Sequence, residues 1–416
     1  MERLATACCG LDVHKQTVVA CLVRPSTERS STRETRTFGT TTQALEELRA
    51  WLQAADCTHV ALESTGVYWK PVYHVLEGLC SVWVVNAQHI KNVPGRKTDV
   101  RDAEWLAELL QHGLVRPSFV PDRAQRELRD LTRTRTTLIE ERTALVNRLQ
   151  AVLEDANIKL AGVASDVMGV SGRAILAALL AGTTDPALLA DLAKGKLRRK
   201  REALQSALHG HVRAHHCLLL TLHLEHIDLL DEQIAQLSEQ IADRLRPSTA
   251  VLVLLETIPG VGRRTAEVLA AEIGLDVTRF PTAGHLASWA GMCPGQHESA
   301  GKQKSGKRRA GNMALRRVLA EAAKAAARTK KKHEQTYLAG RYRSLVVRCG
   351  HRKATIAVGH TILRFVYHIL ATHEPYNERT LLAHDERRQA RAKHRALAQL
   401  SALGYEVTLT PTAPAA

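Results

Sequence analysis

Four acids are placed where their side chains could converge on a metal ion. Asp12 lies in the apolar run CCGLDVHK, Glu63 ends the run ALEST, and Asp99 and Asp102 open the amphipathic stretch DVRDAEWLAELLQHG. An acid inside a strand-like apolar run is costly to bury unless a partner or an ion neutralises it, which singles out Asp12 and Glu63. A spacing of three puts Asp99 and Asp102 on one helix face, where they repel each other unless a cation or the helix N-terminus offsets the charge. A first-turn cap beside a solvated acid is the other reading of that pair. Taken together, the four carboxylates suit a hard oxygen-ligand site for Mg²⁺ or Mn²⁺. Two such ions about 4 Å apart would activate an attacking oxygen and stabilise the leaving oxygen of a phosphodiester.

The elements that must hold these acids read as an α/β layer. Residues 7 to 23 give two β-rich runs split by His14-Lys15-Gln16, with Asp12 at the end of the first. A helical pattern follows at 42 to 54, then HVALEST up to Gly66, a helix at 70 to 78, the apolar run SVWVVNA, and the helix that starts near Asp99. This first domain is expected to end near residue 121. Residues 122 to 248 alternate charged residues with leucines, above all at 124 to 154 and 217 to 245, and read as a spacer of long coiled or bundled helices. A mostly helical domain is expected at 249 to 375, interrupted by a glycine- and lysine-rich interval at 291 to 312. A basic helix and frayed tail are expected at 376 to 416.

Charge says what such a chain meets. Lys and Arg exceed Asp and Glu by sixteen. Residues 299 to 353 carry seventeen Lys or Arg against only Glu321 and Glu334, so nearly all of the excess sits there. A folded segment this basic fits a polyanion, and binding should fall steeply as salt rises. Aromatics are 4% of the chain, so stacking on bases should not dominate recognition. TIPGVGRRTAEVLAAEIG has the form of a helix-hairpin-helix, in which Gly260, Gly262, Arg263 and Arg264 would meet a DNA phosphate; an ordinary tight helix connection is the other reading.

The eight cysteines lack the paired spacing of a zinc knuckle or redox motif and read as small buried hydrophobes. The first twenty residues lack signal-peptide character and no uninterrupted apolar run reaches eighteen residues, so a cytoplasmic protein without membrane contact is expected.

The acids in order, Asp12 in GLDVHK, Glu63 in ALESTG, and Asp99 and Asp102 in KTDVRDAEWLAELLQHGLVRPSFVP, resemble the DEDD-type transposases of insertion-sequence family one hundred and ten. The stretch from IPGVG through WAGMCPGQHESAGKQKSGKRRAGNMALRRVLAEAA is similar to that family's second domain. The resemblance implies an RNase H-like (RuvC-like) fold for the first domain and the four acids as its metal ligands. It also implies cleavage and rejoining of DNA at element ends and target, a dimer or tetramer, and a guide RNA encoded by the element.

In that family a serine of the second domain attacks DNA, and the matching position here is Ser299 in HESAGK. Ala300 stands before Gly301, where the family often has glycine directly after the serine, and Ser305 in KSGK competes for the role. Apart from the resemblance, a serine in a Gly/Lys loop is an ordinary turn residue. No histidine-acid pair adjoins Ser299 in sequence to activate it, and His297 is only a neighbour; the metal-bound acids would have to help. Lys302, Lys304, Lys307, Arg308, Arg309, Arg316 and Arg317 would contact DNA. Two rival readings stay open: a metal-dependent junction nuclease that uses water, and a non-catalytic DNA-binding protein.

Overall fold

Strand β1 (Cys8–Val13) buries every residue except Asp12, which is partly covered, so both faces of the strand must be packed. The computed structural model describes residues 7–25, 31–64, 66–86, 102–295, 297–299, 302–305, 311–328, 336–378 and 397–402. β1 pairs antiparallel with β2 (Thr17–Pro25), and β2 pairs antiparallel with β3 (Ser31–Gly39). On its other side β1 runs parallel to β4 (His59–Glu63), which runs parallel to β5 (Ser81–Val85). The order β3-β2-β1-β4-β5 is the RNase H-like arrangement. Parallel neighbours need crossovers, and α1 (Thr42–Ala54) and α2 (Trp69–Leu76) supply them.

Strand alternation divides this sheet into two faces. Cys9, Leu11, Val13 and Leu62 pack with Leu45, Leu48 and Leu52 of α1 and Val72 and Leu76 of α2. Cys8, Ala61 and Val85 pack with Ala103, Leu106, Ala107 and Leu110 of α3 (Asp102–Gln111) on the opposite face. Gly10 is where α3 comes closest: a Cβ there would lie 2.1 Å from the Ala103 carbonyl oxygen and 2.4 Å from the Ala107 nitrogen. No other residue fits that approach.

The contacts divide the chain into Met1–Asp122 and Arg123–Ala416. In the second unit α4 (Arg123–Asp155) is 33 residues long; α5 (Leu160–Val163), α6 (Val170–Leu180), α7 (Pro186–Asp191) and α8 (Arg201–Ala207) follow. Next comes α9 (Ala214–Leu245), which lies antiparallel to α4: Arg244 pairs with Glu127, Arg142 with Asp231, and His216 with Asp155. The two long helices join two cores. At one end Leu145, Leu149 and Leu153 meet Leu220, Ile227 and the small helices. At the other, Leu128, Ile241 and Leu245 belong to the core of α10 (Thr249–Glu256), α11 (Arg263–Ile273), α12 (Ala283–Trp289), α13 (Met313–Ala327) and α14 (Tyr337–Thr372). Within this unit, therefore, the residues read as a spacer build part of the same core as the segment after 249.

α14 is kinked at Gly350, and by length and composition it could cross a membrane. Its residues Val358, Ile362, Val366 and Ile369 instead fill the core of the unit. All eight cysteines are free, and burial pushes the Cys8 thiol up to about 11 and that of Cys57 to about 12, so these thiols stay protonated packing groups.

Candidate active site

Leu11 pairs with Leu62 in the β1–β4 ladder, so the next residues in register, Asp12 and Glu63, stand side by side at the carboxyl ends of neighbouring parallel strands. Alternation puts them on the face that carries Gly10 and Ala61, the face covered by α3. α3 runs antiparallel to β1, because Cys8 donates to the Ala107 carbonyl oxygen at 3.8 Å while Gly10 meets Ala103 and Ala107. Its N-terminus, with Asp102 and Glu104 in the first turn, therefore lies at the end of the sheet that bears Asp12 and Glu63. Negative charge is favoured at that helix end.

The Asp12 side chain is 18% exposed, and its Oδ2 lies 3.0 Å from His14 Nε2. Asp99 lies outside the described residues. Asp12, Glu63 and Asp102 share one end of one face but are not gathered as a tight triad. Among the described residues, the group of three His, Cys, Asp or Glu whose donor atoms all fall within 4.8 Å is Asp155, His215 and His216, far along the chain. In that group His216 is already committed: its Nδ1 accepts the Arg213 N–H at 3.1 Å and its Nε2 lies 2.8 Å from Asp155 Oδ2. That arrangement closes the end of the long helix pair.

The candidate serines lie on one hairpin, a feature that the sequence reading treated as an irregular interval. β6 (His297–Ser299) pairs antiparallel with β7 (Lys302–Ser305), with Ser299 opposite Lys302 and His297 opposite Ser305. Lys302 and Lys304 are on β7. Lys307, Arg308 and Arg309 lie outside the described residues.

The other expected DNA contacts have diverse settings. Arg317 is half exposed and bonds both oxygens of Glu140 at 2.7 and 2.9 Å. Arg316 is buried and donates to Met313 Sδ, so in this structure it is covered rather than presented at the surface as its reading as a DNA contact would have it. Gly260 has φ +87° and packs on α13, where a Cβ would come within 2.3 Å of the Ala322 carbonyl oxygen. Gly262 caps the N-terminus of α11 with open space beside it. Arg263 reaches Glu256 and Glu267, both at 3.3 Å, and Arg264 is exposed.

Two acids of α11 that the sequence reading passed over are the most buried in the described chain. Glu267 meets Arg135 at 2.7 Å, with both side chains inside. Glu272, fully buried, binds Arg133 and Arg129. Burial lowers the Arg129 guanidinium to about 10 against the pull of Glu272, whereas the hydrogen bond to Glu272 raises Arg133. The signal was present: acids within AEVLAAEIG, on the apolar side of a helix, are as costly as an acid in a strand.

A family model described as a transposase, DEDD_Tnp_IS110, matches residues 9–158, and one described as the transposase IS116/IS110/IS902 family matches residues 253–338. The first match spans β1, β4 and α3 with their acids; the second spans the serine hairpin. The chain belongs to the IS110 family of DEDD transposases. Its relatives include a "Probable family 20 transposase" of Pseudomonas aeruginosa, 28% identical over 65% of this chain and 71% of its own. The "Transposase for insertion sequence element IS1111A" of Coxiella burnetii is 26% identical over 70% of this chain and 72% of its own. A "Pilin gene-inverting protein" of Moraxella bovis is 26% identical over 70% and 73% respectively. Among solved structures, that of Thermus thermophilus RuvC aligns with 27% of this transposase and 99% of its own chain at 13% identity and a TM-score of 0.21. A transposase of the DEDD type works with a divalent metal. The donors at the strand ends fit one: they are carboxylate oxygens on one face, without the sulfur or paired imidazoles that select softer ions.

Proposed function

We propose that this transposase cleaves and rejoins DNA strands at the ends of an insertion sequence and at its target, with Ser299 as the attacking group. Asp12, Glu63, Asp99 and Asp102 would hold Mg²⁺ or Mn²⁺, which when bound supplies Lewis-acid stabilisation to the reacting phosphate. The chain's own part is to hold those carboxylates at one end of the sheet, to present the serine hydroxyl on the β6–β7 hairpin, and to grip the phosphate backbone through the adjoining cations. Gly262, Arg264, Lys302, Lys304, Lys307, Arg308 and Arg309 are the assigned DNA contacts, with Arg317 released from Glu140 on binding. The connection between α10 and α11 acts as the helix-hairpin-helix. The observation that carries the reading is the in-register placement of Asp12 beside Glu63 at the start of α3.

The acids and the serine act on one phosphodiester, from the same or another copy of the chain. Exposed Leu218, Leu222 and Leu229 on α9 support a homo-oligomer, dimer or tetramer, and a guide RNA encoded by the element completes the assembly in the cytoplasm. Incubation with element-end DNA, element RNA and Mg²⁺ tests the metal half of the reading. Cleavage lost on chelation and in Asp12→Asn supports it; cleavage that survives both overturns it. A water nucleophile, the second reading, keeps the acids essential and makes both serines replaceable.

A further inference from the structure

The last turn of α11 places a fully buried acid against Asn312, the residue that caps α13. Glu272 Oε1 accepts from Arg133 Nε at 2.7 Å, and its Oε2 accepts from Arg133 Nη2 at 2.8 Å and from Asn312 Nδ2 at 2.6 Å. Arg129 Nε stands 3.6 Å from Oε2 and bonds the Ala271 carbonyl oxygen at 3.0 Å, while its Nη2 bonds that of Glu272. The two guanidiniums already neutralise the carboxylate, so ion pairing alone does not call for Asn312.

Asn312 is the residue on which the basic interval ends. Its Oδ1 accepts the Leu315 N–H at 3.0 Å and caps α13, and its Nδ2 is left to reach Glu272. An N-cap needs only an acceptor, which Ser, Thr or Asp would provide; an asparagine adds an amide donor that is spent here on Glu272. One residue earlier, Gly311 lies against the end of α12, where a Cβ would be 2.5 Å from Gly291 N and 2.6 Å from the Ala290 carbonyl oxygen. The backbone that leaves the interval at 311 is thereby held against the backbone that enters it at 291. Ser299 and Ser305 lie between those two points.

We infer that Glu272, acting through Asn312, is a positioning residue for strand cleavage: it fixes the exit of the serine-bearing segment to the α4–α11 framework. This rests on the reading that the nucleophile lies on the β6–β7 hairpin. Reactions that depend on a positioned nucleophile lose about a hundredfold for a displacement of about an ångström, so the clamp acts on the chemical step more than on DNA binding.

Changes of polarity and of reach at position 312 test this. Asn312→Asp keeps the cap and faces Glu272 with a second carboxylate; Asn312→Ser keeps the cap and shortens the reach; Glu272→Gln with Asn312→Asp exchanges donor and acceptor at the contact with position 312, at the cost of the Oε2 acceptor that Arg133 Nη2 uses. Each is made in the full chain, with thermal unfolding to confirm the fold. Hydrogen exchange at the amides of 297 to 305 and single-turnover cleavage at saturating element-end DNA are then compared with wild type. The clamp predicts that both single Asn312 variants exchange faster at the hairpin and cleave about tenfold or more slowly, with DNA affinity within about twofold. It also predicts that the double variant cleaves faster than Asn312→Asp alone, though short of wild type because Arg133 Nη2 has lost its acceptor. Unchanged exchange, or faster exchange with unchanged cleavage, overturns it. Ser299→Ala and Ser305→Ala in the same assay separate the two ideas. If both cleave like wild type, the nucleophile assignment falls, while the exchange and rescue measurements still decide the clamp.

Discussion

Asp12 and Glu63 are neighbours because β1 and β4 keep one register from Cys8 opposite His59 to Leu11 opposite Leu62, which carries both acids to the same end and the same face of the sheet. Two carboxylates so placed repel each other, and the repulsion is relieved when a cation sits between them. Asp12→Asn and Glu63→Gln should each lower Mg²⁺-dependent strand cleavage by about a hundredfold or more. Both should leave stability unchanged or slightly higher in metal-free buffer, because one of two like charges is gone. Cleavage assays and thermal unfolding of the same preparations check the two halves together.

Gly10 sets how closely α3 approaches the sheet. Gly10→Ala would press a methyl group into the Ala103 carbonyl, shifting the helix start that carries Asp102. The expected outcome is a loss of about 1–3 kcal/mol in denaturant unfolding. Cleavage should fall further than stability explains.

Salt dependence should separate the cations proposed to meet DNA from the buried one. Lys302→Ala and Lys304→Ala should each reduce the slope of log affinity against log salt by about one. Arg316→Met, at a buried position, should leave that slope alone and change the thermal midpoint instead. Binding titrations at three or four salt concentrations read both effects.

His360 on α14 gives a pH dependence. Burial first, then Arg364 and Arg341, hold its imidazole below the ordinary value. The folded state therefore resists the proton that the unfolded chain accepts near pH about 6.5, so stability is full above that pH and falls as the pH drops toward the depressed folded value. His360→Gln should flatten the fall between pH 7 and pH 5, as followed by thermal unfolding.

Much of the fold was legible because alternation and helical spacing are strong signals in β1, β2, β4, β5, α1 and the long helices α4 and α9. β3 was missed: STRETRTFG is a polar edge strand, largely exposed, whose ladder partner lies on β2 and leaves no apolar alternation to read. The β6–β7 hairpin was missed for a similar reason, since HES and KQKS have weak strand preference and their pairing is a long-range fact of the chain. Asp12 and Glu63 stood out as acids in apolar strands. Glu272 carries the same signal on a helix, where alanines mask the buried face, and its meaning depends on Arg133 and Asn312, which only folding brings near.

The serine mechanism is tested most directly on a denaturing gel. Wild type, Ser299→Ala, Ser305→Ala and Asp12→Ala are incubated with element-end DNA, element RNA and Mg²⁺, and covalent protein–DNA adducts are counted. An adduct present in wild type and Ser305→Ala but absent from Ser299→Ala and Asp12→Ala is the expected result. Cleavage that depends on Asp12 but yields no adduct, or an adduct that survives in Ser299→Ala, would contradict the account.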